Sequence, residues 1–328
     1  ATLRDQTVQI VSKPGFANWD RLGPAATLLA ESVMLPPDAR VLHLGGGHGG
    51  LTALLARAVP RGSVELIEAN YAATLMAGRT LRANRITNAT VQGDPAAVAR
   101  ESVDCAVLEV PAGRKFARRW LALAHAALKP GGLLYLAGPK AEGIESLIAD
   151  ARKCFGQAAT LAYREHHRVA VATKQAVAAL PAWASEPGLA PGTWHQFTRE
   201  LVGATFAVES LPGVFSYDRL DDGTAFLLDH LRARPGERVL DIGCGWGALG
   251  LVAAHLGAAR VDLIDVNLPA VASAARTIAA AGLTNARALA SDALDAVQGE
   301  RYDLIVTNPP FHAGKAIDHD AALAFIAG

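Results

Sequence analysis

The sequence is poor in the features that would place it outside ordinary globular proteins. Its three cysteines, Cys105, Cys154 and Cys244, are too few and too scattered among 328 residues for a disulfide framework or a metal site. No apolar run reaches the roughly 18 residues that span a bilayer. The first ten residues lack the basic-then-apolar order of a secretory signal. We therefore expect a soluble cytoplasmic protein that binds no metal and no membrane.

The chain as a whole also lacks an excess of charge of either sign, although each half has one. Its 31 basic residues balance its 31 acidic residues. Residues 1–175 hold 21 Lys and Arg against 14 Asp and Glu, whereas residues 176–328 hold 10 against 17. Such asymmetry is one sequence sign of a polyanionic partner. Ordinary variation of the surface is an equally good explanation.

An internal repeat organises the chain. VLHLGGGHGGL at 41–51 and VLDIGCGWGAL at 239–249 share Val, Leu and three alternating glycines, 198 positions apart. The same spacing takes Asp94 to Asp292, and a spacing of 197 takes Glu68 to Asp265. These matches occur in one order, which predicts two copies of one domain.

Each copy consists of apolar stretches alternating with Ala- and Leu-rich helical segments, which is typical of a doubly wound α/β domain with a parallel sheet. We expect a first domain at 1–174, a Pro-, Gly- and Ala-rich linker at 175–193, and a second domain at 194–328 that opens with a short helix and a hairpin. The first copy has seven predicted strands, at 40–44, 63–68, 89–92, 103–110, 132–137, 159–165 and 168–173.

The second copy lacks its last strands within this chain. Strand 132–137 of the first copy corresponds to a position just beyond Gly328, so about 44 residues with the last three strands are not included. A sheet that ended there would expose an unpaired apolar edge. We expect those strands in a part of the protein that follows Gly328.

The glycine loop of the second copy predicts a nucleotide-type cofactor. Gly243, Gly245 and Gly247 follow an apolar strand and precede an apolar helix, so a ligand can approach backbone amides at the helix N-terminus. The loop also fits the dinucleotide fingerprint, with Asp265 where a ribose-binding acid belongs. The loop alone is therefore compatible with S-adenosylmethionine or with NAD.

Two carboxylates favour S-adenosylmethionine. Asp241, two residues before the first glycine, suits the cationic amino acid end of that cofactor and would repel a pyrophosphate. Asp292 follows the third strand, where methyltransferases recognise adenine. NAD binding stays the alternative.

The tetrapeptide Asn308-Pro309-Pro310-Phe311 at the end of a predicted strand indicates catalysis on a flat nitrogen-containing group. The lone pair of an aromatic amine or amide is delocalised, so the nitrogen is a poor nucleophile. The side-chain oxygen of Asn308 and the carbonyl of Pro309 offer two acceptors for its N–H groups, and Phe311 offers a ring for stacking. We expect these three residues to orient an amino group for methyl transfer.

These residues resemble a known family over the entire chain. NPPF belongs to the pattern of amino-group methyltransferases that act on adenine, cytosine, guanine or glutamine. A degenerate first copy, LPGVFSYDRLDDGTAFLL at 211–228 and TNPPFHAGKA at 307–316 together resemble the ribosomal RNA small-subunit methyltransferase C family.

The resemblance implies two tandem Rossmann-like class I methyltransferase domains and S-adenosylmethionine as cofactor. It implies methylation of guanine N2 in 16S rRNA, with rRNA or the small ribosomal subunit as partner. It also implies that Asn308 is catalytic, whereas His312 belongs to the pattern without an assigned role. The cofactor contacts that it implies are Asp241, Gly243, Gly245, Asp265 and Asp292.

Two other functions stay open from the sequence. One is an amino methyltransferase acting on 23S rRNA guanine, DNA adenine or protein glutamine. The other is a non-catalytic RNA-binding or ribosome-assembly protein that retains the fold, which the intact Asn308 and Asp265 disfavour.

The first copy is expected to be a non-catalytic scaffold. His43 stands in place of Asp241, and Glu109-Val110-Pro111-Ala112 stands in place of the NPPF motif, give or take one position. Glycines 45, 47 and 49 and Glu68 are kept, but a tight strand-to-helix turn needs glycine without any ligand.

The first copy is also expected to bind RNA through a basic cluster, spaced so that pairs of its members share helix faces. A solvated charged face explains this spacing equally well. The cluster consists of Arg114, Lys115, Arg118 and Arg119.

Overall fold

The computed structural model describes residues 2–3, 6–176, 179–309, 312–313 and 316–317. The chain forms two compact units, Ala1–Thr193 and Trp194–Gly328. No helix in the described part of the chain is long and apolar enough to cross a membrane.

The first unit contains a seven-stranded sheet of order β5-β4-β3-β6-β7-β9-β8. Six strands run parallel, and β9 is antiparallel between β7 and β8. The strands are β1 (Thr2–Leu3), β2 (Gln6–Thr7), β3 (Arg40–Leu44), β4 (Ser63–Ile67), β5 (Ala89–Gln92), β6 (Val103–Glu109), β7 (Leu128–Pro139), β8 (Ala158–Arg164) and β9 (His167–Thr173). The helices are α1 (Pro24–Ser32), α2 (Gly50–Ala58), α3 (Tyr71–Ala83), α4 (Arg114–Ala127) and α5 (Ile144–Phe155).

Helices cover both faces of this sheet, as the continuous apolar strands predict. Leu42 and Leu44 of β3 face one core cluster, whereas Val41 faces the other. Alternation along an extended strand sends successive side chains to opposite faces. Each fully buried Leu or Val contributes about 1.5–3 kcal/mol to folding, so both layers stabilise the sheet.

The second unit has a four-stranded parallel sheet of order β14-β13-β12-β15 among its described residues, the counterpart of β5-β4-β3-β6. Glycine-loop helix α7 and helix α8 pack against it. The strands are β10 (His195–Leu201), β11 (Ala204–Ser210), β12 (Arg238–Ile242), β13 (Arg260–Asp265), β14 (Ala286–Ala290), β15 (Leu304–Thr307), β16 (His312–Ala313) and β17 (Ala316–Ile317). The helices are α6 (Asp222–His230), α7 (Ala248–His255) and α8 (Leu268–Ala280).

The start of the second unit differs from the prediction of a short helix. Strands β10 and β11 pair in register from His195–Ser210 to Leu201–Ala204 and form one antiparallel hairpin. Leu201 and Phe206 are buried in the core of this unit. Cross-strand pairing and burial override the local helical pattern of residues 194–202.

The segment 175–193 is only partly the linker that its composition predicts. Trp183, Ala184 and Leu189 belong to a buried core cluster of the first unit. Arg118 of α4 lies over the Trp183 ring, 4.8 Å from its centroid. Apolar side chains inside a Pro- and Gly-rich segment therefore fix residues 182–189 to helix α4.

Candidate active site

The candidate site lies at the carboxyl ends of β12, β13, β14 and β15. The glycine loop follows β12, Asp265 ends β13, Asp292 lies two residues after β14, and Asn308 directly follows β15. Parallel strands present their carboxyl ends at one edge, where ligands of doubly wound sheets bind. The structure thus brings the glycine loop, Asp265, Asp292 and Asn308 to one edge.

The glycine loop has a conformation that requires its glycines. Gly243, Gly245 and Gly247 have φ of 69°, 57° and 98°. A Cβ on Gly245 would meet nothing within 4 Å, so this backbone is open to a ligand. A Cβ on Gly247 would come within 3.1 Å of Leu263, so glycine there permits close packing of α7 on β13. Glycine thus serves ligand access at one position and packing at another.

Asp265 holds the glycine loop by two backbone hydrogen bonds. Its Oδ2 accepts the N–H of Gly245 at 3.0 Å, and its Oδ1 accepts the N–H of Asn267 at 2.8 Å. Burial raises the pKa of Asp265, while the two N–H donors oppose that rise. A carboxylate has further lone pairs beyond these two bonds, so it can still accept hydroxyl groups of a ribose.

Asp241 lies behind the loop and not at its open surface. The residue is 1% exposed, and its Oδ2 accepts the N–H of Gly250 in α7 at 2.9 Å. Burial raises its pKa to about 7, and the charge of Asp265 adds to the rise. Asp241 therefore supports the start of α7. Its contact with the amino acid end of a cofactor stays a prediction.

The turn after β14 is fixed beside Asp265. The N–H of Ser291 donates to the carbonyl of Asp265 at 3.0 Å, and the Ser291 hydroxyl donates to the carbonyl of Ala293 at 2.7 Å. Ser291 is 2% exposed. The next residue, Asp292, is half-buried and follows the residue whose N–H binds the Asp265 carbonyl. Its role in recognising an adenine stays a prediction.

Asn308 is held by two residues that the sequence analysis missed. Its Nδ2 donates to Asp221 Oδ2 at 3.1 Å and to Thr224 Oγ1 at 2.9 Å. A carboxylate only accepts hydrogen bonds, so the amide nitrogen must face Asp221. The carbonyl Oδ1 of Asn308 is then the end left for a substrate.

Asp221 is also the N-cap of α6, because its Oδ2 accepts the N–H of Thr224 at 3.1 Å. The signal in the sequence was an Asp followed three residues later by Thr, at the start of an apolar helix. That pattern predicts a helix cap, but not a contact with a residue 87 positions away. Pro309 is half-buried. Predicted residue Phe311 lies outside the described residues.

The predicted RNA-binding cations of α4 have partners within the first unit. Arg118 forms an ion pair with Asp150 at 2.8 Å, and Arg114 approaches the same carboxylate at 3.3 Å. Asp150 is 1% exposed, so these cations neutralise a buried charge. Their partners account for this cluster without RNA, and RNA binding there stays a prediction.

The other two α4 cations hold the segment that follows Trp183. Lys115 pairs with Glu186 at 2.5 Å, and Arg119 donates to the carbonyl of Gly188 at 2.6 Å. Burial lowers the pKa of Arg119 to about 10. All four cations therefore have intramolecular partners. Among the described residues, no group of His, Cys, Asp and Glu has the arrangement of a metal site.

Comparison with known proteins agrees with this geometry. The model of the methyltransferase small domain family matches residues 7–170 and 205–328. Ribosomal RNA small subunit methyltransferase C of Pseudomonas entomophila (strain L48) is 39% identical over 220 residues, 67% of this chain and 63% of that protein. Its counterpart in Stutzerimonas stutzeri (strain A1501) is 40% identical over 225 residues, 68% and 64% of the two chains. The chain thus spans somewhat less than two thirds of these curated relatives.

A solved structure matches nearly the whole chain. It is a 16S rRNA N2 methyltransferase of T. Thermophilus, in complex with AdoMet and guanosine, with 33% identity and a TM-score of 0.79. The match covers 97% of this chain and 82% of that chain. The predicted tandem α/β methyltransferase fold and the resemblance are thereby confirmed. The chain belongs to the methyltransferase small domain family and, within it, to the ribosomal RNA small subunit methyltransferase C family.

Proposed function

We propose that the protein transfers a methyl group from S-adenosylmethionine to the exocyclic N2 amine of a guanine in 16S rRNA. The observation that carries the proposal is the fixed amide of Asn308, which follows β15 at the edge that also carries the glycine loop and Asp265. The T. Thermophilus relative was solved with AdoMet and guanosine, ligands that fit this pair of features.

The second copy has residues suited to S-adenosylmethionine. The open space beside Gly245 leaves backbone for a ligand to approach, and the Asp265 carboxylate suits a ribose diol. We expect Asp292, two residues after β14, to recognise the adenine. Asp241 supports the loop from behind. When bound, the cofactor supplies an electrophilic methyl group on sulfur.

The chain contributes orientation to the reaction. Asn308 Oδ1 accepts an N–H of the guanine amine, and the Pro309 carbonyl is a second acceptor. Two such bonds turn the nitrogen lone pair toward the methyl carbon. S-adenosylmethionine held by the glycine loop and Asp265 would supply the methyl group to this nitrogen, which would lose one proton in exchange. Orientation of this kind lowers barriers by as much as ~7–11 kcal/mol in ideal intramolecular cases.

The substrate is proposed to be 16S rRNA, naked or within the small ribosomal subunit, in line with the cytoplasmic location expected from the sequence. The test is incubation with methyl-labelled cofactor and, separately, 16S rRNA, 30S subunits, 23S rRNA, DNA and protein, with nucleoside or amino acid analysis. The proposal expects label in N2-methylguanosine from 16S rRNA or 30S subunits. Label in 23S rRNA, adenine or glutamine would support a different amino methyltransferase. Binding of the cofactor or of RNA without any methyl transfer would refute the proposal that the protein is a methyltransferase for these substrates.

A further inference from the structure

A group of five arginines lies on α2, α3 and the turns that follow them. Arg79, Arg82 and Arg85 recur every three residues and are exposed. Arg57 lies in the last turn of α2, and exposed Arg61 follows that helix. Among the described residues, none of these five guanidinium groups forms an ion pair. We call them the arginine face.

The sequence stretches that hold this face are poor in acidic residues. Residues 39–64 and 69–93 contain no Asp or Glu, so neither α2 nor α3 carries a carboxylate. Of the two acids between these stretches, Glu68 is buried and Glu65 accepts a hydrogen bond from Gln92. Asp38 lies near Arg61, whose N–H donates to the carbonyl of Pro37, but among the described residues it forms no ion pair with these arginines. The cations of α4, in contrast, are matched by Asp150 and Glu186. The arginine face therefore carries a net positive charge.

The face has a fixed backbone. Asn84 Nδ2 donates to the carbonyls of Thr80 and Gln9, and Asn84 Oδ1 accepts from Arg57 Nη2 at 3.3 Å. Arg57 also donates to the carbonyl of Thr7 at 2.7 Å. Its partners are neutral, so they orient the guanidinium without cancelling its charge. The ends of α2 and α3 are thus joined with their cations side by side.

We propose that the arginine face binds the phosphate backbone of the RNA substrate. The proposal rests on the proposed function for the identity of the polyanion. Clustered arginines without nearby ion-pair partners attract phosphates, and their contacts release counterions from the RNA. Such contacts do not depend on the base sequence of the RNA. This assigns to α2 and α3 the role that the sequence analysis gave to α4.

The test compares two triple variants with the same change in net charge. One carries Arg79→Gln, Arg82→Gln and Arg85→Gln. The control carries Lys140→Gln, Arg152→Gln and Lys153→Gln, three other exposed cations of the first unit. Binding of 16S rRNA is measured against salt concentration, and S-adenosylmethionine affinity is measured in parallel.

The arginine-face variant should bind at least about 10-fold more weakly near 0.1 M salt, and its salt slope should fall by roughly two to three units. The control should keep the wild-type slope, and both variants should keep cofactor affinity. Equal slopes for the two variants would overturn the proposal. A wild-type protein that binds RNA through this face but transfers no methyl group would refute the proposed function alone.

A different observation supports a second inference, in the second unit. Both N–H groups of the Asn308 amide are used by Asp221 and Thr224. Donation to a carboxylate polarises an amide and increases the negative character of its oxygen. We infer that Asp221 and Thr224 are positioning residues, which aim Asn308 Oδ1 at the substrate amine. This inference also rests on the proposed function.

Three variants separate positioning from helix capping. Thr224→Val removes one acceptor of the amide but keeps the backbone N–H that Asp221 caps. Asp221→Ser keeps an N-cap side chain but removes the carboxylate. Asp221→Asn keeps a side chain of the same shape with one acceptor oxygen. Thr224→Val and Asp221→Ser should each lower kcat about 10-fold, the effect of one lost hydrogen bond in the transition state. KM for the cofactor should not change, and Asp221→Asn should restore most of the turnover.

The Asn308 side-chain amide gives a readout that does not depend on activity. In ¹⁵N NMR spectra its two protons, assigned with Asn308→Asp, should exchange slowly in the wild type and faster in Thr224→Val. Unchanged exchange in Thr224→Val, or wild-type kcat in both Thr224→Val and Asp221→Ser, would overturn the inference. A protected amide in a protein that transfers no methyl group would leave positioning intact and refute the proposed function.

Discussion

The two copies of the domain share their glycine-loop architecture and differ in the groups that face it. Glu68 accepts the N–H groups of Gly47 and Asn70 at 2.8 and 2.9 Å, as Asp265 accepts those of Gly245 and Asn267. A carboxylate that fastens a glycine turn is therefore a structural device of this fold. Its presence alone does not identify a cofactor site.

The copies diverge where chemistry would take place. His43 binds the Thr52 hydroxyl at 2.9 Å, whereas Asp241 in the equivalent position binds the Gly250 backbone. Strand pairing aligns Val41 with Cys105 and Val239 with Leu304, so Glu109 occupies the position of Asn308. The copies therefore differ at the position of Asn308, the residue that we propose to be catalytic in the second copy.

The first glycine loop is covered at one of its glycines. A Cβ on Gly45 would lie 2.4 Å from the Trp120 ring, which is 5% exposed. At Gly47, the counterpart of Gly245, a Cβ would meet nothing within 4 Å, as at Gly245 itself. Openness of the loop therefore does not separate the copies, and the interpretation of the first copy as a scaffold depends on His43 and Glu109.

The largest effect is expected at Asn308, where the first copy has Glu109. Asn308→Ala should lower turnover by at least ~10²-fold with cofactor affinity near normal, because the loss falls on alignment in the transition state. Steady-state kinetics with labelled cofactor measures both quantities. Retained turnover would show that Asn308 is only a turn residue. The two copies would then not differ in catalysis at the position of Asn308 and Glu109.

A smaller loss is expected at Asp265, the carboxylate whose counterpart in the first copy is Glu68. Asp265→Ala should weaken S-adenosylmethionine binding by ~1.5–3 kcal/mol, the range for hydrogen bonds to a charged group. Calorimetry measures this affinity. Wild-type affinity in the variant would show that Asp265 only fastens the loop, as Glu68 does.

The buried carboxyl of the second copy predicts a pH effect on stability. The folded pKa of Asp241 is about 7, against an ordinary value of 3.8. The native state then binds more protons than the unfolded state between these values, so the free energy of unfolding falls as pH rises from 4 to 7. Relative to Asp241→Asn, the wild type should lose about 1–2 kcal/mol over this window, less than the full shift because water can approach an ionised group. Urea unfolding of both proteins at pH 4 and pH 7 measures this change. The same difference in free energy of unfolding between wild type and Asp241→Asn at both pH values would contradict a raised pKa.

The smallest effect on the cofactor is expected in the first copy. Glu68→Ala leaves the N–H groups of Gly47 and Asn70 unpaired and should lower the free energy of unfolding by about 1–3 kcal/mol. S-adenosylmethionine affinity should stay within about two-fold, measured below the unfolding transition. A loss as large as that of Asp265→Ala would mean that both copies bind cofactor.

The sequence predicted elements whose signals are local. Alternating glycines, the acid that follows them and the NPPF motif each depend on a few adjacent residues, and parallel-strand topology brings them to one edge. The seven predicted strands of the first unit follow from the same local patterns and are confirmed. Strand β10 was missed because its structure depends on pairing with β11.

Contacts between distant residues could not be predicted from local patterns. Asn308 reaches Asp221 across 87 positions, and Arg118 reaches Asp150 across 32. Four basic residues on one helix have the same spacing whether they face solvent, RNA or a buried carboxylate. Only the fold distinguishes these cases, and within the described part of the chain the arginines of α2 and α3 have no acidic partner.

The stoichiometry of S-adenosylmethionine binding tests the division between the copies most directly. Isothermal titration of the wild type, Asp265→Ala and Glu68→Ala gives the number of sites and assigns them. The account predicts one site per chain, weakened by Asp265→Ala and preserved in Glu68→Ala. Two sites per chain, or one site that Glu68→Ala weakens and Asp265→Ala preserves, would contradict it.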